Sequence, residues 1–161
     1  MTPTIEQQKT TYPLFATETR LRIASWVLIA AGCMDLVRGF MHTFNIQHAA
    51  ANIAQVDMTS AMIGDFLVVM SAFGISNYLT GIFAIITGLK AKPLAPLFVA
   101  IIPLTYALGV VSMRLNAIAG TAAFSGQYMI LVYMSICVLT ALYYYVPKWL
   151  GFDQGGYYGQ T

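Results

Sequence analysis

The stretch GCMDLVRGFMHTF, residues 32–44, carries Asp35, Arg38 and His42 within an otherwise apolar run. At spacings i, i+3 and i+7 the three side chains share one helix face, with Gly32 and Gly39 beside them and Trp26 nearly opposite. A guanidinium suits anionic or carbonyl oxygen, and an imidazole exchanges a proton near neutral pH. The trio could therefore hold a polar head group, such as a quinone ring or a lipid phosphate, whose tail lies between helices.

Counting ~1.5 Å per residue from Arg22 puts Asp35 roughly 20 Å into a first span, Arg38 roughly 24 Å and His42 roughly 30 Å, in its outer half. The same count brings Asp65 and Arg114 to similar depth from two other helices, with Asn116 and Tyr128 as additional candidates. A charge at the bilayer centre costs at least ~2.5–3.5 kcal/mol, so Asp35, Arg38, His42, Asp65 and Arg114 are expected to meet inside a bundle. Three readings of that cluster stay open. It is a structural network, in which Arg38 pairs with Asp35 or Asp65 and Arg114 takes the other carboxylate. It is a ligand pocket. Or some of its charges pair with another subunit.

Other chemistries fit less well. Bis-His haem needs two inward histidines at one depth, whereas His48 falls six residues on in an expected loop, so haem is disfavoured and no cofactor is assigned. No second His or Cys joins His42 to make a metal set, although Asp35 and Asp65 could hold an ion weakly. Cys33 and Cys137 lie in apolar stretches without CxxC spacing and read as small buried hydrophobes. No residue set reads as catalytic.

The elements that must position these groups follow from composition. Of 161 residues, 58% are hydrophobic and only 9% charged, which is an integral membrane composition. Eight Lys/Arg against six Asp/Glu give +2 without a basic run, which excludes a nucleic-acid footprint. Four apolar segments, near 21–44, 61–89, 95–117 and 125–148, are long enough to span a bilayer as helices. The fold class is all-α, a four-helix membrane bundle over 21–149. The polar tail 1–20 is not signal-like, so the first span is expected to be retained, and 150–161 forms a Gly/Tyr-rich tail. Segment 46–58 is Ala-rich and could form a short interfacial helix.

Arg20, Arg22, Lys90, Lys92 and Lys148 all fall on one side of this arrangement. The positive-inside rule makes that side, and both termini, cytoplasmic, as in a bacterial-type inner membrane. Ala72, Ser76, Thr80, Ala84 and Gly88 recur every four residues, and Gly74 and Gly81 add a second strip. With Gly32 and Gly39 these small residues allow close helix packing, inside one bundle more readily than between copies. Asn77, mid-span, needs a hydrogen-bond partner on another helix, and Pro103 should kink the third span.

In topology alone the chain resembles small four-helix bacterial membrane proteins such as the DoxX-like group, and no residue role is carried over. Three functions are expected. The first is a non-catalytic accessory subunit of a larger membrane assembly, such as an energy-transducing one, because ordered tails would need partner subunits to pack on; Tyr12, Phe15, Tyr157 and Tyr158 are the anchors expected. The second is a quinone- or lipid-binding membrane protein using the polar cluster. The third is a small oligomeric transporter or channel.

Overall fold

A computed structural model describes residues 5–116 and 126–150, with side chains from residue 17 onward. The expected C-terminal tail, most of the connection around Gly120, and the side chains of Tyr12 and Phe15 lie outside the described residues.

The described chain is helical throughout: α1 (Ile5–Thr43), α2 (Ile46–His48) running into a π-helical turn (Ala49–Ile53), α3 (Ile63–Lys90), a 3-10 turn (Lys92–Leu94), α4 (Ala95–Leu115) and α5 (Gln127–Trp149). Four of these helices are long and apolar enough to cross a membrane: 27 residues of α1 from Thr17, 28 in α3, 24 over Lys92–Leu115 and 23 in α5. At about 1.5 Å per residue each exceeds a hydrocarbon thickness of about 30 Å. Helix is the form that apolar surroundings demand, because each backbone N–H and C=O is then satisfied within its own segment. The 3-10 turn and the start of α4 suit Pro93 and Pro96, since proline is tolerated in a first turn, whereas Pro103 lies deeper, inside α4.

The first helix does not begin where its apolar run begins. It continues backward to Ile5, so the polar segment before residue 20 and the span after it form one helix.

α1 is the hub, touching α3 on one flank and both α4 and α5 on another. It runs antiparallel to α3 through a seam of small residues spaced by seven. Ser25 faces Gly88, Gly32 faces Gly81 and Gly39 faces Gly74. A Cβ on Gly32 would sit 2.7 Å from the Gly81 carbonyl oxygen, and one on Gly81 would sit 2.8 Å from that of Gly32. The backbones therefore approach as closely as only glycine permits, which is how helices gain dispersion contact where lipid supplies no hydrophobic drive. A seven-residue period also keeps the seam in register along a left-handed crossing.

The core lies toward the end where α1 and α4 start. Ala24 and Leu28 of α1 pack there with Ala95 and Val99 of α4 and Cys137 of α5. The same end gathers the basic residues: Arg20 lies over the Tyr143 ring at 5.7 Å, and Lys90 and Lys148 occupy the last turns of α3 and α5. We call it the basic end. Toward the far end α4 stands away from its neighbours, leaving Leu104, Leu108, Val111 and Leu115 exposed.

Candidate functional site

Asp35, Arg38 and His42 occupy the far half of α1, each half-buried on the side turned toward α3 and α5. Arg38 Nη1 is 3.3 Å from Asp35 Oδ1, one helical turn away. The other carboxylate oxygen of Asp35 lies 3.3 Å from the Thr80 hydroxyl of α3, which shares its one proton between that oxygen and the Asn77 carbonyl at 3.2 Å. Asn77, one turn before Thr80, donates its Nδ2 to His42 Nδ1 at 3.4 Å. The Thr43 and Tyr78 hydroxyls meet at 3.1 Å. Three polar bridges thus join the glycine seam of α1 and α3 on its far half.

From the opposite flank, α5 brings Tyr133, whose ring lies 5.8 Å beneath the Arg38 guanidinium carbon. The cation is held between a carboxylate on its own helix and an aromatic face on another, an arrangement favourable once water is excluded.

Asp65 and Arg114 do not join this group. Asp65 sits in the first turn of α3 and Arg114 in the last turn of α4, and both are exposed. Neither forms an ion pair with another described residue. At helix ends a charge reaches the interface by snorkelling, so the bundle has no need to neutralise it. Asn116 donates to the Ser112 carbonyl of its own helix at 2.8 Å, and Tyr128 is exposed beside α4. No group of three or more candidate metal ligands forms among the described residues.

The small-residue stripe divides. Gly81 and Gly88 press on α1, Thr80 reaches Asp35, and Ser76 and Ala72 stay exposed. The face that closes on α1 is the seven-residue strip Gly74, Gly81, Gly88, and the four-residue strip meets it only over its last two turns.

A cavity of about 230 Å³ opens beside Arg38 and His42. Met34 and Met41 of α1, Met70 of α3, and Met129 and Ile130 of α5 supply its apolar walls. Ala49, Ile53 and Ala54 roof it. Within the 46–58 segment the short α2 and its π-helical turn form a strap over the cavity, burying Ala49 and Ala50. The wide turn ends at Gln55, a non-glycine residue at φ 53°, in the left-handed region. Beyond it Asp57 accepts the Thr59 hydroxyl at 2.7 Å and the Thr59 amide at 2.9 Å, and these bonds hold its carboxyl below the usual carboxylate range.

A second space, an apolar groove of about 460 Å³, runs between α1 and α5 toward the basic end. Val27, Ala30 and Ala31 line one side, and Val132, Ile136 and Cys137 the other. Met34 and Met129 belong to both spaces, so the polar cavity and the apolar groove are neighbours sharing a wall.

Tyr133 and the strap are parts that sequence reasoning does not assign to the site, and it assigns Thr80 to helix packing only. Tyr133 lacks a charge or a spacing motif to mark it. Thr80 carried the only available signal, a hydroxyl on the helix face next to Asn77. No protein-family model, curated protein or solved structure matches the chain.

Proposed function

We propose that this is an integral membrane protein that binds a single-tailed amphipathic molecule, its head in the cavity beside Arg38 and His42 and its tail in the groove between α1 and α5. The observation that carries the reading is the shared wall of Met34 and Met129, which sets a small space with two polar groups against a larger wholly apolar one. Ligand sites are mostly apolar with a few placed polar groups, which matches this lining. The gathering of basic residues at one end supports an orientation with that end in the cytoplasm of a bacterial-type cell and the cavity toward the opposite side.

The test is to purify the full chain in mild detergent, wash it and identify retained apolar molecules by mass spectrometry. One species should stay with the native chain and be lost from Ala30→Leu, which fills the groove from an exposed position of α1. Equal retention by both, or retention by neither, overturns the reading. Orientation is tested separately with impermeant maleimide on intact cells, which should label Ser60→Cys and miss Lys92→Cys; the reverse pattern inverts the topology.

A second reading, an accessory subunit of a larger membrane assembly, draws support from how little of the described chain lies outside the long helices: 44–62, 91–94 and the single residues 116, 126 and 150. Native mass spectrometry separates the two, since a stoichiometric partner protein supports the subunit and a lone chain with one small adduct supports the ligand site. A homo-oligomer would point instead to a transporter or channel.

A further inference from the structure

We infer that the head group in the cavity is an uncharged flat ring with carbonyl oxygens on opposite edges, the quinone class, an assignment that rests on the ligand-binding reading above. The first argument is charge. Arg38 is the one permanently charged group among the described residues lining the cavity, and its charge is already met by Asp35 at 3.3 Å. The second oxygen of Asp35 is taken up by Thr80. A phosphate or carboxylate entering here would set two anions against the single Arg38 cation in apolar surroundings, leaving one negative charge unmatched, which is unfavourable. A neutral head leaves the pair intact.

The second argument is the sense of the free hydrogen-bonding groups. With the Asn77 amide nitrogen, 3.4 Å from His42 Nδ1, acting as the donor, the neutral tautomer that fits carries its proton on Nε2 and can donate it. Arg38 has N–H groups beyond the one on Asp35 and accepts nothing. The wall therefore offers donors, and the ligand must bring acceptors. Arg38 and His42 are four residues apart on α1, hence about 5–6 Å between Cβ atoms. Two oxygens on opposite edges of one ring would give each donor its own acceptor, with neither side chain bending toward the other.

Shape is the third argument. Four methionines, Met34, Met41, Met70 and Met129, line a space of about 230 Å³. Thioethers adapt to irregular outlines and make favourable contacts with flat conjugated rings. From Met34 to Val27 the adjoining groove follows α1 for about 10 Å, at 1.5 Å per residue, in the direction a single tail would take.

The experiment uses the full chain in detergent and three probes with ten-carbon tails: decyl-ubiquinone, monodecanoylglycerol as a neutral head without a ring, and decyl phosphate as an anion. Binding is read by native mass spectrometry and by the rise in melting temperature. Decyl-ubiquinone should bind at least about tenfold more tightly than either of the others. His42→Leu should weaken it by about tenfold, the loss of one donated hydrogen bond. Ala54→Phe, which fills the cavity from the strap and leaves the α1–α3 seam untouched, should abolish it. Preference for decyl phosphate or monodecanoylglycerol, or unchanged ring binding by folded His42→Leu, overturns the ring assignment and leaves the ligand site standing. Failure of all three probes to bind a helical, monodisperse chain overturns the ligand site itself.

Discussion

Along α1 one flank meets α3 and another meets α5, and the two contacts are built from different residues. Against α3, α1 presents Ser25, Gly32 and Gly39, and receives Gly88, Gly81 and Gly74. Against α5 it presents Val27, Ala30, Ala31 and Met34, and receives Met129, Val132, Tyr133 and Ile136 around a groove of about 460 Å³. In lipid neither flank gains from expelling water, so what closes a seam is close approach and polar pairing. The α3 flank has both. The α5 flank has bulky, adaptable side chains and two cation–ring contacts, Arg38 over Tyr133 and, at the basic end, Arg20 over Tyr143. Space for a guest remains where the helices lack facing glycines, and rigidity resides where they have them.

That contrast can be broken at the polar end first. Arg38→Leu removes the cation from Asp35, whose side chain is only 15% exposed. Because Arg38 is itself partly exposed, the loss should sit at the low end for a broken buried pair, about 3 kcal/mol in reversible unfolding, and the double variant Asp35→Leu/Arg38→Leu should regain most of it. A double-mutant cycle without coupling would separate the two residues. Next comes the seam: Gly81→Leu must push α1 and α3 apart against backbone, which should cost about 1–3 kcal/mol or more. The same enlargement on the other flank, Ala30→Leu, should leave stability within about 0.5 kcal/mol. Equal losses at the two positions would mean that the flanks do not differ as described. Asn77→Ala should cost about 0.6 kcal/mol, the usual size of a polar bridge between membrane helices.

The smallest effect lies outside the helices, in the turn after the strap. Hydrogen bonds to the folded carboxylate hold Asp57 low, so the turn is stabilised above the ordinary Asp pKa of about 3.9 and loses that support as pH falls through a lower value. The Thr59 amide resonance should titrate with a midpoint below 3.9 in the native chain. A midpoint at or above it would remove the Asp57 turn as an anchor of the strap.

What could be read in the sequence was whatever apolar solvent dictates. Four long apolar runs had to become helices, and Asp35 and Arg38, one turn apart, had an available partner in each other. Asn77 announced the need for a bond across helices, and His42 supplies it. Asp65 and Arg114 misled because depth was counted from residue numbers along each run. The count placed them beside the cluster, whereas the first turn of α3 and the last turn of α4 leave both exposed. Tyr133 was invisible because a mid-span tyrosine equally suits lipid, a packed neighbour or a cation. The strap was hidden for another reason: Ala49 and Ala50 carry no amphipathic signature, and only the fold shows that their smallness lets the chain turn back over the cavity.

The ion pair between Arg38 and Asp35 is also a matter of timing. Both residues belong to α1, so their contact needs nothing that is synthesised later. For a helix in lipid each such charge alone would cost about 2.5–3.5 kcal/mol, yet α1 carries its own counter-ion one turn away. Thr80 and Asn77 follow with α3 and find a partner already arranged. In the order of the chain the Asp35–Arg38 pair thus precedes the α3 groups that join it.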